Sequence, residues 1–208
     1  FDAFMRGAQS IGDQPLITIN YGSGSAQEAA GWVHYANKGG TGYNGPVPTY
    51  SGGSKTGHNY GIKYWEIGNE NYGSWETDYH TRSGSVYGSN AASYIKAMKA
   101  VDSSIKTGLV LTAPTNSGTD AAWNPAVLSA ACSVSDFVII HWYPQGPGYE
   151  NDATLLSLPS QISGIVSQTR SQLSQYCGSH ASAVQIMITE SNSVYGNPGK
   201  QMLSIVNA

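Results

Sequence analysis

Apolar residues in this chain fall into short, nearly continuous runs separated by longer stretches with helical spacing. Residues 1–11 place Phe1, Phe4, Met5 and Ala8 on one stripe, and Gly12 follows where a C-cap belongs. Next comes Pro15-Leu16-Ile17-Thr18-Ile19-Asn20, then the turn-rich Gly22-Ser23-Gly24-Ser25. Ser25 with Glu28 three residues later forms a capping-box pattern ahead of Ala29-Ala30-Gly31-Trp32-Val33. The same order of strand, loop and helix then repeats. Strands are predicted at 62–67, 107–112, 137–141 and 184–189. Helices are predicted at 90–101, at 124–131 with Pro125 in its first turn, at 160–176, and from Gln201 onward.

Five short β-branched runs alternating with helices imply a parallel sheet covered on both faces. Such an alternation fits either a doubly wound sheet or a closed barrel. Two features favour the barrel. No GxGxxG follows the first strand, and polar residues cluster just after several different strands: Asn20-Tyr21, Asn69-Glu70, His141-Trp142-Tyr143 and Glu190-Ser191-Asn192. Active sites of (β/α)8 barrels are assembled from such strand ends. The expected architecture is therefore α/β, a (β/α)8 TIM barrel of which residues 1–208 carry about strands 3 to 7 in one partial catalytic domain. A whole barrel takes about 250 residues, and five strands do not close one. The opening Phe1-Asp2-Ala3-Phe4-Met5-Arg6, which reads as the middle of an amphipathic helix without signal-peptide character, adds to the expectation of a fragment.

Composition narrows the partners. Only 11% of the 208 residues are charged, and ten Lys+Arg against thirteen Asp+Glu leave a formal charge of -3. With no block of like charge, an electrostatic nucleic-acid binder is not expected. No run approaches the roughly 18 apolar residues of a membrane span. Hydrophobic content of 40%, with 14 Tyr and 5 Trp, argues against disorder and suits a protein that stacks on sugar rings. There is no CxxC and no HExxH, and neither a metal nor an organic cofactor is implied. Cys132 and Cys177 are read as either one disulfide or two separate buried thiols. A bond between them would be worth about 4 kcal/mol in the loop-entropy model. Low lysine content and a Gly/Ser/Tyr-rich surface point to secretion.

The strongest local signal is Tyr64-Trp65-Glu66-Ile67-Gly68-Asn69-Glu70-Asn71. Strand alternation puts Glu66, Gly68 and Glu70 on one face, with Glu70 at the strand end. Half burial among Trp65, Tyr72 and Trp75 is expected to raise its pKa towards neutrality, as a general acid requires. The competing reading is a helix-capping Glu, or one paired with Arg82. A second strand, Val184-Gln185-Ile186-Met187-Ile188-Thr189-Glu190, also ends in a carboxyl. Two carboxyls facing each other across a barrel mouth are the minimum equipment for glycoside hydrolysis.

Ile17-Thr18-Ile19-Asn20-Tyr21-Gly22-Ser23-Gly24, the stretch from Glu28 to Asn37, and Tyr60-Gly61-Ile62-Lys63-Tyr64-Trp65-Glu66-Ile67-Gly68-Asn69-Glu70 together resemble glycoside hydrolase family 51 arabinofuranosidases. The order continues through His141-Trp142-Tyr143-Pro144 and Ile188-Thr189-Glu190. This resemblance implies a clan A barrel and a retaining double displacement that removes arabinofuranosyl residues from plant polysaccharides. By it, Glu70 ends the fourth strand as acid/base and Glu190 the seventh as nucleophile. Asn69 would contact the hydroxyl beside the anomeric carbon, and Tyr143 would hydrogen-bond the nucleophile. The sequence departs from many members at Glu66, where a small residue is usual, and at Asn71-Tyr72-Gly73, where an acidic turn is usual. Another clan A glycanase directed at xylan or β-glucan, or a non-catalytic sugar-binding fragment, are the alternatives.

Weaker candidates have structural alternatives. Trp142 and Trp75 either stack on a sugar face or fill core and loop space. His141 either supports the two carboxylates or is a satisfied interior histidine. Asn20, with Tyr21, either rims the pocket or closes its own turn. Glu66 is expected to face the interior with a buried His or Lys partner. The loop at 39–57 is long enough to wall a cleft.

Overall fold

The computed structural model describes residues 1–39, 58–114 and 119–194. Nearly all of the loop at 39–57, and the helix expected from Gln201, lie outside these residues. In chain order the elements are α1 (Asp2–Ile11), β1 (Leu16–Ile19), α2 (Ala26–Asn37), β2 (Tyr64–Ile67), α3 (Gly84–Val101) and β3 (Lys106–Val110). They continue with α4 (Trp123–Ala131), β4 (Phe137–Trp142), α5 (Asp152–Ser157), α6 (Gln161–Tyr176) and β5 (Gln185–Ser191). Every strand pairs in parallel with its sequence neighbour, giving the order β1-β2-β3-β4-β5. A doubly wound sheet would reverse its strand order at a switch point. No reversal occurs here, and the sheet curls as a half-barrel.

The predicted elements and the observed ones differ mainly at their edges. Ser25 caps α2 by accepting the Glu28 backbone N–H, as its sequence suggested. Helix α3 starts at Gly84, six residues before the predicted 90. Gly84 and Gly88 occupy a face where α4 presses close. A Cβ at Gly84 would lie 2.7 Å from the Trp123 carbonyl oxygen, and one at Gly88 would lie 2.8 Å from Ala130 Cβ. Packing therefore retains glycines that propensity would place outside a helix. The short α5, capped by Asn151 on the Thr154 N–H, has too few residues for a periodic signal.

The main core joins β1–β4 to α2, α3 and α4 through fully buried Trp65, Ile67, Leu109, Phe137, Ile95 and Met98. A smaller cluster of Ile140, Trp142, Leu155, Leu158 and Ile165 lies beneath the β4 end of the sheet. Between β2 and β3 the buried Tyr87 hydroxyl donates to the Ile67 carbonyl at 2.6 Å and accepts the Val110 N–H at 2.9 Å. This phenol substitutes for a ladder contact at the strand tops, where the chain leaves for Glu70. At the other end of the sheet, Cys132 and Cys177 form a disulfide with a Cα separation of 5.5 Å. It joins the C-terminal ends of α4 and α6 and decides the alternative that the sequence left open.

Candidate active site

Glu70 is delivered by an irregular exit from β2. The Gly68 N–H still bonds the Ile19 carbonyl at 3.1 Å, but its φ is 83°, and Glu70 itself has φ 40°. Glu70 is the one non-glycine residue with positive φ among those described, a conformation costing about 1–3 kcal/mol. Gly68 is required there: a Cβ would sit 2.1 Å from Asn71 Oδ1 and 2.9 Å from Tyr21 Cβ. The following loop folds back over the carboxylate. Tyr72 donates its hydroxyl to Glu70 Oε1 at 3.1 Å, and Trp75 donates its indole N–H to Oε2 at 2.7 Å.

Glu190 arrives from β5, and His141 from β4 lies between the two acids. His141 Nδ1 is 2.8 Å from Glu70 Oε1 and 3.3 Å from Glu190 Oε2. One nitrogen of His141 and one carboxylate oxygen from each acid lie within 4.8 Å of one another. Tyr143 donates its hydroxyl to Glu190 Oε2 at 2.7 Å. His141 Nε2 meets Thr189 Oγ1 at 3.1 Å. The arrangement depends on a register shift. Ile140 pairs with Ile188 but His141 pairs with Glu190, so Thr189 is the extra residue of a bulge in β5. Among the described residues, this trio alone has the spacing of a cation site. With the Glu70 carboxylate as its acceptor, however, Nδ1 carries a proton and has no free lone pair to offer.

The electrostatics differ from the sequence expectation. Glu70 was expected to titrate high; instead the hydrogen bond from His141 holds its carboxyl below the usual range. Burial pulls the other way, but the Trp75 and Tyr72 donors and the imidazole charge add to the lowering. Burial by itself would lower His141, yet the hydrogen bond to Glu70 and the charges of Glu190, Glu70 and Glu66 raise it. The pair therefore keeps its shared proton mainly on the imidazole, and the two groups titrate together. Burial followed by the bond to Glu190 pushes the Tyr143 phenol up to about 12, so it remains a donor.

Glu66 is 4% exposed and paired in register with Thr18, whose hydroxyl donates to Oε1 at 2.7 Å. Its partner is thus a threonine and not the expected His or Lys. Oε2 has no hydrogen-bond partner among the described residues, and burial raises this carboxyl. A neutral acid here avoids an unpaired buried charge.

The remaining candidates separate clearly. Asn69 lies beside Glu70 with its amide donating to Glu76 Oε1 at 3.0 Å. Asn20 is exposed and closes its own turn through Ser23, bonding both its N–H and its hydroxyl. Trp142 is 5% exposed within the smaller core cluster, so packing is its role. Trp75 is 68% exposed and holds Glu70, which makes it the more informative tryptophan. Arg82 bonds the Glu76 carbonyl, not Glu70. Sequence reasoning gave Thr189 no role, because strand alternation would turn it away from Glu190 and only the bulge brings both to His141.

Two carboxylates from the ends of different parallel strands, joined through one buried imidazole, form the kind of centre found in barrel glycoside hydrolases. No family model matches the chain. It is 29% identical over 165 residues to a probable α-L-arabinofuranosidase C of Aspergillus flavus, covering 74% of this chain and 31% of that protein. It is 31% identical over 146 residues to an intracellular exo-α-(1→5)-L-arabinofuranosidase of Bacillus subtilis, covering 67% and 27% respectively. The solved GH51 α-L-arabinofuranosidase of Thermotoga petrophila superposes with a TM-score of 0.71 at 31% identity, over 96% of this chain and 38% of that one. In sequence and fold this chain is similar to family 51 arabinofuranosidases. It spans less than a third of the length of the curated relatives it matches.

Proposed function

We propose that this chain carries the catalytic pair of a retaining α-L-arabinofuranosidase, with β1–β5 as strands 3 to 7 of an eight-stranded barrel. The observation that carries the reading is the close approach of Glu70 and Glu190, whose nearest ligand oxygens lie within 4.8 Å. Retaining enzymes keep their carboxyls about 5–5.5 Å apart, whereas inverting ones leave about 6.5–9.5 Å for a water.

In this mechanism Glu190 attacks the anomeric carbon while Glu70 hands the departing glycosidic oxygen the proton it shares with His141. Glu70 then removes a proton from water, which displaces Glu190 and restores the proton shared by Glu70 and His141. Tyr143 donates to Glu190 Oε2, and His141 Nδ1 faces the same oxygen at 3.3 Å, which together fix the direction of attack. On Glu70, Oε1 receives both His141 and Tyr72 while Oε2 receives Trp75 alone. Oε2 is therefore the oxygen with a position left to carry the proton handed to the leaving group. Arabinofuranosyl units are the substrate class supported by the names of the relatives. The Cys132–Cys177 disulfide supports an oxidising, extracellular location.

The test is activity of the full-length protein on an aryl α-L-arabinofuranoside. Glu190→Ala is expected to abolish turnover, and Glu70→Ala to spare substrates whose leaving group needs no proton. Normal turnover by Glu190→Ala rejects the assignment. Hydrolysis confined to xylan or glucan oligomers would move the protein to another glycanase class.

A further inference from the structure

The bulge in β5 has a chemical consequence at the catalytic pair. Along a regular strand, neighbours project to opposite faces, so Thr189 and Glu190 could not both approach one imidazole. The shift between Ile140/Ile188 and His141/Glu190 turns them to the same ring. Thr189 Oγ1 meets Nε2 at 3.1 Å, while Nδ1 lies 2.8 Å from Glu70 Oε1 and 3.3 Å from Glu190 Oε2. His141 is 7% exposed, so Nε2 depends on the protein for a partner.

We propose that Thr189 is a positioning residue, which through His141 Nε2 keeps the opposite nitrogen between the two catalytic carboxyls in both protonation states of the ring. A hydroxyl is suited to this because it both accepts and donates. Facing an imidazolium, it accepts from Nε2–H; facing the neutral ring, it donates to the bare nitrogen. In each case Nδ1–H remains directed at Glu70 and Glu190. The ionisable groups around the ring are Glu70 and Glu66 from β2, Glu190 from β5 and Tyr143 just after β4, with Tyr72 touching Glu70. None of them is placed on Nε2 by a hydrogen bond among the described residues. That nitrogen is the position through which the ring's proton can be adjusted without disturbing either carboxylate.

This inference deepens the arabinofuranosidase reading, and Thr189→Val tests it because valine keeps the shape and removes the hydroxyl. An unsatisfied Nε2–H on a charged ring costs more than a bare nitrogen on a neutral one. Valine should therefore lower the imidazole midpoint and move the high-pH limb of kcat/KM downward, both by about half a pH unit or more. Thr189→Ser should restore both. The two readouts are the pH–rate profile on an aryl arabinofuranoside and the titration of the His141 ring nitrogens by NMR, using 15N-histidine-labelled full-length protein. An unchanged ring midpoint in Thr189→Val overturns the proposal, as does failure of serine to restore it. If the protein did not cleave arabinofuranosides, the substrate reading would fail, yet the ring titration would still decide the role of Thr189.

Discussion

Glu70 combines a strained backbone with a carboxylate bonded at both oxygens, and the loop that returns over it contributes to both. Gly73 donates its N–H to the Glu70 carbonyl while Tyr72 and Trp75 reach the side chain, so the turn that imposes φ 40° also supplies the donors. The strain is held by these contacts and the carboxyl is aimed by them. Trp75→Phe keeps the ring and removes the N–H from Oε2. Losing a donor to the ionised form favours the protonated one, so Glu70 should titrate higher. The high-pH limb of kcat/KM is expected to move upward by about half a pH unit, opposite in direction to Thr189→Val. A pH–rate series on one aryl substrate checks the sign. Local sequence could not give the low pKa of Glu70. It announced the surrounding aromatics, which suggested desolvation, but the dominant group, His141, lies 71 residues away in sequence.

At the scale of elements, two departures from regular geometry place the acids. One is the Gly68 exit from β2, and the other is the β5 bulge at Thr189. Gly68→Ala should be severe. The added Cβ collides with Asn71 and Tyr21, and the φ of 83° is unfavourable for any side chain. We expect a stability loss above about 2 kcal/mol together with loss of activity, since Glu70 would move. Chemical denaturation and an aryl-glycoside assay measure the two effects. The alternation of elements was legible because each strand is a short apolar run and each helix has its own stripe. The early start of α3 was not, because Gly84 and Gly88 owe their helical place to the approach of α4, and a pattern along one segment holds no record of its neighbour. The bulge was equally hidden. Ile186-Met187-Ile188-Thr189-Glu190 reads as an ordinary run until its register against β4 is known.

Across the whole molecule, the chemistry and the fastening occupy opposite ends of the sheet. Glu70 lies just past the C-terminal end of β2 and Glu190 is the penultimate residue of β5, while the disulfide ties α4 and α6 just before β4 and β5 begin. Replacing Cys132 and Cys177 together by serine reopens a link across 45 positions. It should cost about 2–4 kcal/mol of stability, with activity at low temperature retained by whatever remains folded. Thermal unfolding with and without reductant tests this, since the wild-type protein should respond to reductant and the double variant should not. The sequence by itself determined the order of strands and helices, the parallel sheet, and a carboxyl at the end of each of two strands, because those features are periodic or local. Only the tertiary structure decided which residues share a proton. That depends on distances among β2, β4 and β5, and on a one-residue shift that leaves the hydrophobic pattern intact while reversing the direction of every side chain after it.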